Sequence, residues 1–178
     1  MKISRFLSSF MLFILILGGT SIVFGEDPLF KGYDVLVIKD LEVTSNTPAP
    51  DSAGSQIAER VVFQVRRYSQ KYSLFDAIVK EGKEVPPGKK VLLVTGTVKE
   101  YTQPTLGRRI GRSLIPGGEF TGSSAFAAHY QFIDQETGKV IYETDLRSTS
   151  TGSNDTVDYA MERNGEALAK IITKYKGK

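Results

Sequence analysis

Three arginines and several glycines lie close together between residues 103 and 123, and this segment has the clearest pattern for chemistry in the chain. Guanidinium groups bind carboxylates and phosphates through paired N–H donors, and glycines leave backbone amides open to an anion. The pattern predicts an anion-binding loop, although neither phosphate-loop motif, GxxxxGK[ST] or GxGxxG, occurs in it. A hairpin extension with solvated arginines explains the same residues, because charged loops are common. The candidate binding residues are Gly107, Arg108, Arg109, Gly111, Arg112, Gly117 and Gly118.

The same segment is more apolar than an exposed loop requires. Its large apolar residues are Leu106, Ile110, Leu114, Ile115 and Phe120. The first three stand four residues apart, which is the spacing of one helix face, so a short amphipathic turn fits the pattern until the proline that follows them. The segment is therefore also a candidate surface for docking on a partner or for touching a membrane.

Four carboxylates fall on one predicted hairpin and resemble the paired acids of glycosidases or the oxygen ligands of Ca²⁺. They are Asp134, Glu136, Glu143 and Asp145. The first two flank a turn, where solvated acids are common, so a carboxylate-dependent hydrolase of cell-wall material stays an alternative and no catalytic residue is assigned. His129 lies on the polar face of a predicted strand, which is typical of a surface residue.

The composition excludes several classes of site. The 178 residues include no cysteine and one histidine, which removes disulfides, thiol nucleophiles, cysteine-ligated metals and sites with several histidines. The serine-hydrolase patterns GxSxG and SxxK are also missing. We therefore expect no metal, no cofactor and no catalytic residue, and the balance is against an enzyme.

Residues 1–25 have the three parts of a secretory signal peptide. Lys2 and Arg5 form the basic region, residues 10–17 form the apolar core, and residues 23–25 permit cleavage before Glu26. An uncleaved anchor is the alternative interpretation. Thr20 occupies the position at which a lipoprotein signal carries its lipidated cysteine. We therefore expect an exported protein, periplasmic or secreted, without a lipid anchor.

The signal also carries part of the positive charge. The whole chain has 23 Lys and Arg against 20 Asp and Glu, a formal net charge of +3. Without residues 1–25, which hold two basic and no acidic residues, 21 basic and 20 acidic residues leave +1. This balance does not support nucleic acid as a partner.

The remaining residues, 26–178, read as one domain with element order β-α-β-β-β-β-α. Strands are predicted over 33–43, 72–79, 91–101, 124–133 and 140–149, and amphipathic helices over 55–71 and 156–175. Ser52 or Ser55 is the expected N-cap of the first helix and Asp155 that of the second. The predicted fold class is α+β: a single mixed or mainly antiparallel sheet of about five strands with two amphipathic helices on one face.

Four stretches resemble the bacterial domain-of-unknown-function 4410 family. They are residues 33–40 (YDVLVIKD), 96–101 (GTVKEY), 107–112 (GRRIGR) and 134–139 (DQETGK). The resemblance implies a cell-envelope protein, often a lipoprotein, and brings no catalytic residues. Thr20 departs from the lipoprotein pattern, so this chain would be a non-lipidated member. The element order is also similar to small periplasmic domains of envelope-assembly lipoproteins, such as the curli secretion protein and penicillin-binding-protein activators, which is an analogy of fold alone.

These observations favour a non-catalytic binding or assembly module of the bacterial envelope that uses the 103–123 loop. An envelope protein or an anionic ligand is the expected partner, and membrane contact through the loop is open. The main alternative is an oligomeric, membrane-touching or secretion-associated envelope component, and the further alternative is the hydrolase. The oligomeric state is not predicted.

Overall fold

The computed structural model describes residues 28–103, 124–150 and 156–178. The predicted signal peptide and all seven candidate binding residues of the loop lie outside these ranges. The described strands and helices are β1 (Val35–Ile38), β2 (Glu42–Val43), α1 (Ala53–Tyr72), β3 (Ala77–Lys80), β4 (Val91–Thr102), β5 (Ala125–Asp134), β6 (Val140–Thr149) and α2 (Val157–Tyr175).

The strands form one mixed sheet in the order β3-β1-β4-β5-β6, with β2 paired to β4 beyond the end of β1. β1 is parallel to both β3 and β4, and α1 makes the crossover from β1 to β3. β4, β5 and β6 are antiparallel neighbours. The predicted fold class and element order are confirmed. The short strand β2 was predicted as a continuation of β1 and is instead a separate segment after residue 41.

The apolar run of β1 is buried on both faces of the sheet, as the sequence predicts. Leu36 and Ile38 join the main core, which lies between the sheet and the two helices. Val35 and Val37 join a smaller cluster with Val91. β1 therefore lies in the interior of the sheet, where no side chain of the strand is exposed.

Helix α1 begins and ends close to its predicted limits, but the strand that follows begins later than predicted. Ser52 is the N-cap; its hydroxyl accepts a hydrogen bond from the Gln56 side chain at 3.0 Å and caps no backbone N–H. At the other end Ser73 adopts a left-handed conformation (φ 51°) and donates its N–H to the Ser69 carbonyl at 2.7 Å. This terminal turn occupies residues that were assigned to a strand, so β3 begins only at Ala77.

In the β5–β6 hairpin the predicted buried face of β5 is confirmed, and the predicted face of β6 is wrong at one residue. Phe126, Ala128, Tyr130 and Phe132 are buried in the main core, as the alternation of β5 predicts. Phe132 of β5 pairs with Tyr142 of β6, but the next residue of β5 pairs with Val140. β6 therefore carries one extra residue at this point. Val140, which was predicted on the same face as Tyr142, is therefore 43% exposed, and the turn itself has Gly138 at the expected positive φ of 69°.

Helix α2 begins with a different cap from the predicted one. Its N-cap is Thr156, whose hydroxyl accepts the Tyr159 N–H at 3.2 Å, so the prediction of Asp155 was wrong. The two residues are adjacent, and both types cap helices well, which is why the spacing did not separate them. α2 packs over β5 and β6, while α1 lies against β1, β2, β3 and β4, and the two helices also contact each other.

Several close backbone contacts fall on glycines, and the tightest is at Gly54, where a Cβ would lie 1.8 Å from the Leu41 carbonyl oxygen. Gly96 of β4 faces β5, and a Cβ at this position would lie 1.9 Å from the His129 carbonyl oxygen. Gly165 of α2 lies against α1, and a Cβ there would be 3.3 Å from the Arg60 carbonyl carbon. These glycines allow the strands and the helices to approach as closely as they do.

Candidate functional site

The candidate 103–123 loop joins the far end of the β4–β5 hairpin. The last paired residues of the two strands are Thr102 and Ala125, so the chain leaves and re-enters the sheet at one point. Next to this point, the Ser150 N–H donates to the Ser124 carbonyl at 3.0 Å. The hairpin therefore holds both ends of the loop in fixed positions, whereas the candidate arginines and glycines themselves lie outside the described residues.

An ion pair that crosses β5, from β6 to β4, lies at the base of this loop. Arg147 donates two hydrogen bonds to the Glu100 carboxylate, at 2.7 and 3.1 Å. These bonds hold the pKa of Glu100 below its ordinary value, and Glu100 also accepts a weaker bond from Thr102 at 3.3 Å. The carboxylate is thus engaged within the sheet.

Two of the four carboxylates of the predicted hairpin, Glu143 and Asp145, lie far from Asp134 along the strands. Asp134 pairs with a residue at one end of β4, whereas Glu143 and Asp145 pair with residues three and five positions earlier on β5. At a rise of about 3.3 Å per residue these positions lie about 10 and 16 Å from Asp134 along the strand. The acids of a retaining glycosidase lie about 5 Å apart and those of an inverting enzyme about 6.5–9.5 Å. Asp134 therefore forms no glycosidase pair with Glu143 or with Asp145.

Asp134 stabilises the turn. Its carboxylate accepts the backbone N–H groups of Glu136 and Thr137, each at 3.0 Å, and the Tyr33 hydroxyl at 2.9 Å. Chiefly because of the Thr137 N–H, then the Tyr33 hydroxyl, the pKa of Asp134 falls to about 2. Burial of Tyr33, and then the same contact with Asp134, raise the pKa of that phenol to about 12. Asp134 is thus an ionised acceptor held by the turn and by Tyr33, and the Lys90 ammonium lies 3.5 Å from its carboxylate.

His129 lies on the open face of the sheet, as predicted. Its Nδ1 is 3.1 Å from the Asp145 carboxylate, and its Nε2 is 3.8 Å from that of Glu143. Both acids are well exposed. Across the three described ranges, no three His, Asp or Glu side chains are grouped so that they could hold a metal ion.

A buried polar pair, which the sequence analysis missed, lies in the main core. The Tyr130 hydroxyl donates to the Asn164 side-chain oxygen at 2.7 Å, and both residues are fully buried. Asn164 in turn donates to the Leu146 carbonyl at 3.1 Å. Burial raises the pKa of Tyr130, so it stays a neutral donor. A signal was present, because Asn164 interrupts the apolar stripe of α2 at core spacing.

Two surface grooves carry lysines. One, of about 530 Å³, is lined by residues 88–91 together with Gln135 and Glu136. Its two lysines already have partners: Lys89 bonds to Asp76 at 2.7 Å, and Lys90 lies 4.7 Å from the centre of the Tyr33 ring. This groove therefore presents little unpaired positive charge.

The other groove lies between α1 and β3 and has a volume of about 320 Å³. Its apolar surface comes from Val62 and Phe63, and Phe63 is 62% exposed. The charged residues that line it are Glu59, Arg66, Lys80 and Lys83. We call these six residues the Phe63 groove; the sequence analysis did not identify it.

Comparisons with known proteins identify the fold. No family model and no curated protein matches the chain, so the resemblance to the domain-of-unknown-function 4410 family is not confirmed. Among solved structures, a PelC dodecamer from Paraburkholderia phytofirmans matches with a TM-score of 0.52 at 13% identity, covering 76% of this chain and 86% of that one. The chain shares the fold of PelC.

Two further solved structures are similar to this chain. A dodecamer of a PelC variant from the same organism matches with a TM-score of 0.51 at 15% identity, covering 82% of this chain and 88% of that one. A Xanthomonas campestris protein of the domain-of-unknown-function 330 family matches with a TM-score of 0.45 at 11% identity, over 82% of this chain and 86% of that one. At such identities the similarity to PelC establishes the fold and leaves the function open. In the described ranges, no helix has the length and apolar composition needed to cross a bilayer.

Proposed function

We propose that this chain is a non-catalytic binding or assembly module of the bacterial cell envelope, and that the 103–123 loop is its contact surface. The observation that carries the proposal is the attachment of this loop to the end of the β4–β5 hairpin. Loops on a rigid scaffold are the usual place for binding residues, and this loop holds three arginines among glycines and large apolar residues. The signal-like residues 1–25 support export.

A crosslinking experiment in the native bacterium tests the contact surface. A photoreactive residue at position 110 of the full-length chain should yield a defined adduct, and one at the exposed position 135 should not. Deleting residues 105–121 should abolish the adduct formed from a second reactive site at position 103. Equal adducts from the loop and from position 135, or an adduct from position 103 that survives the deletion, would contradict the proposal.

Two matched variants separate the chemistry of the contact. The first replaces Arg108, Arg109 and Arg112 with glutamine, which removes charge and keeps length. The second replaces Leu106, Ile110 and Leu114 with serine, which removes apolar area and keeps charge. Loss of the adduct only in the arginine variant indicates an anionic partner, and loss only in the second variant indicates an apolar surface. If neither variant lowers the yield, the loop is not the contact surface.

A second candidate function is self-assembly into a closed oligomer. It is supported by the fold, because the two PelC structures that this chain resembles are both dodecamers. Sedimentation velocity of residues 26–178 over a wide range of concentrations measures the mass directly. A single high-mass species is expected, and a monomer at every concentration would refute self-assembly. Flotation with liposomes, done on the same sample, tests the membrane-touching form of this hypothesis.

A further inference from the structure

Residues 28–33, which we call the N-terminal strap, are packed into the core of the domain. Phe30 is fully buried, and its ring stacks on Phe132 with the ring centres 4.7 Å apart. The Phe30 N–H donates a hydrogen bond to the carbonyl of Tyr175, the last residue of α2, at 2.9 Å. Phe30 therefore joins the strap both to the sheet and to the end of α2.

The segment that follows α2 also contacts the strap. The Lys176 ammonium donates to the Tyr33 carbonyl at 2.8 Å and lies 4.4 Å from the centre of the Phe75 ring. The Tyr33 hydroxyl donates to the Asp134 carboxylate at 2.9 Å. Within the strap, the Tyr33 N–H donates to the Phe30 carbonyl at 3.2 Å, so the docked strap is a turn and not an extended strand.

This turn follows closely after the predicted site of signal removal. Cleavage is expected between Gly25 and Glu26, so two residues separate the cut from Pro28. Two residues span at most about 7 Å. A protein that takes up an extended peptide pairs with its main chain over several residues, yet the Lys31 N–H of the docked strap already donates to the Pro28 carbonyl at 3.0 Å. The docked strap therefore leaves too little extended chain after the cut for a peptidase to bind.

We propose that docking of the N-terminal strap and removal of residues 1–25 are mutually exclusive, so that the order of the two events decides which form of the protein is made. When the signal peptidase acts first, water hydrolyses the bond between Gly25 and Glu26. This leaves a carboxylate on the signal and an amine on the domain, which then folds without its membrane segment. When the strap docks first, the bond is protected and residues 1–25 hold the domain at the membrane. The inference rests on the export proposed above and adds a step that controls it.

A spacer inserted before the strap tests this directly. The insert GSGSGS between Asp27 and Pro28 adds about 20 Å of extended chain and leaves residues 1–27 unchanged. The matched control carries the same insert after Gly82, an exposed turn residue with φ 84° outside the strap. Each full-length protein is purified in detergent, checked for folding by circular dichroism, and treated with purified signal peptidase, and the new N-terminus is sequenced.

The folded spacer variant should be cut before Glu26 at least ~30-fold faster than the folded wild type. The reason is that the buried Phe30 must leave the core before the wild-type site can be reached, and proteolysis of a folded protein follows the population of its opened form. The Gly82 insertion should be cut as slowly as the wild type. Equal rates for the wild type and the spacer variant, whether both fast or both slow, would overturn the inference.

A substitution within the strap gives a second test. Phe30→Ala weakens docking and should speed cleavage of the folded protein at least ~10-fold. Phe63→Ala is its control, because Phe63 is 62% exposed and should leave the rate unchanged. A folded Phe30→Ala protein that is cut no faster than the wild type would contradict the inference, and the spacer variant decides the question if Phe30→Ala does not fold. None of these outcomes alters the adducts expected from the 103–123 loop, so the inference and the proposed function can fail separately.

Discussion

The buried hydrogen bond between Tyr130 and Asn164 makes the sharpest energetic prediction for this fold. It joins the centre of β5 to α2 over 2.7 Å, and both side chains are fully buried. Tyr130→Phe removes the hydroxyl and leaves the Asn164 oxygen without its donor. Such an unpaired buried group costs about 1–3 kcal/mol of the free energy of unfolding.

Substituting the other partner of the bond should lower the free energy of unfolding more. Asn164→Leu leaves the Tyr130 hydroxyl unpaired, again about 1–3 kcal/mol, and also removes the bond to the Leu146 carbonyl, worth about 0.5–1.5 kcal/mol. Each single variant leaves one buried polar group without its partner. The double variant removes both the hydroxyl and its acceptor, so neither group is left unpaired. We therefore expect the double variant to be more stable than the sum of the two single changes predicts, by about 1–2 kcal/mol.

Urea unfolding of residues 26–178, at one fixed protein concentration because association would shift the midpoint, gives the four free energies of the cycle. Tyr101→Phe is the control, because the Tyr101 hydroxyl has only a 3.4 Å contact with the exposed Gln103 side chain. That variant should stay within about 0.5 kcal/mol of the wild type. A coupling below about 0.3 kcal/mol would mean that the Tyr130–Asn164 bond contributes nothing beyond separate packing terms, and would refute this argument.

Two further predictions concern the turn and the sheet. Because the pKa of Asp134 is lowered from 3.8 to about 2, its charged form stabilises the fold above about pH 4, and this stabilisation is lost as the pH falls towards 2. The difference in Tm between the wild type and Asp134→Asn should therefore shrink between pH 4 and pH 2, which thermal unfolding at several pH values measures; a constant difference would contradict it. Gly96→Ala should destabilise the fold by at least ~2 kcal/mol in urea, because its Cβ would lie 1.9 Å from the His129 carbonyl oxygen. The control Gly32→Ala has no atom within 4 Å of its Cβ and should be close to neutral.

The buried face of a strand can be predicted where the alternation of residues within that strand alone determines it. In β5 the alternation of apolar and polar residues over 126–132 correctly predicts which side chains are buried in the core beneath the helices. In β6 the same rule failed at Val140, because the pairing takes in one extra residue of that strand. A bulge depends on how two strands pair, and the sequence of one strand does not contain that information.

The 103–123 loop and the Phe63 groove differ in how far the sequence reveals them. The 103–123 loop stands out by composition alone. Phe63 could have been noticed as an apolar residue on the polar side of α1, but Lys80 and Lys83 come from a different part of the chain. Only the packing of α1 against β3 brings them beside Phe63. Grooves formed by distant segments are therefore invisible to an analysis of spacing within one element.

The two surfaces also occupy different parts of the molecule, which has a consequence for binding. The loop joins the end of the β4–β5 hairpin, whereas the Phe63 groove lies at the β3 edge. Copies that assemble into one closed ring are related by rotation about one axis, so all their loops would lie at the same level of the ring. A partner with repeated sites would then bind many loops at once, and avidity could exceed the affinity of one loop by about 10²–10⁴. Deleting residues 105–121 should accordingly abolish the binding of such a partner and leave the oligomer intact. An oligomer that dissociates on loop deletion would instead place the loop within the contact between copies.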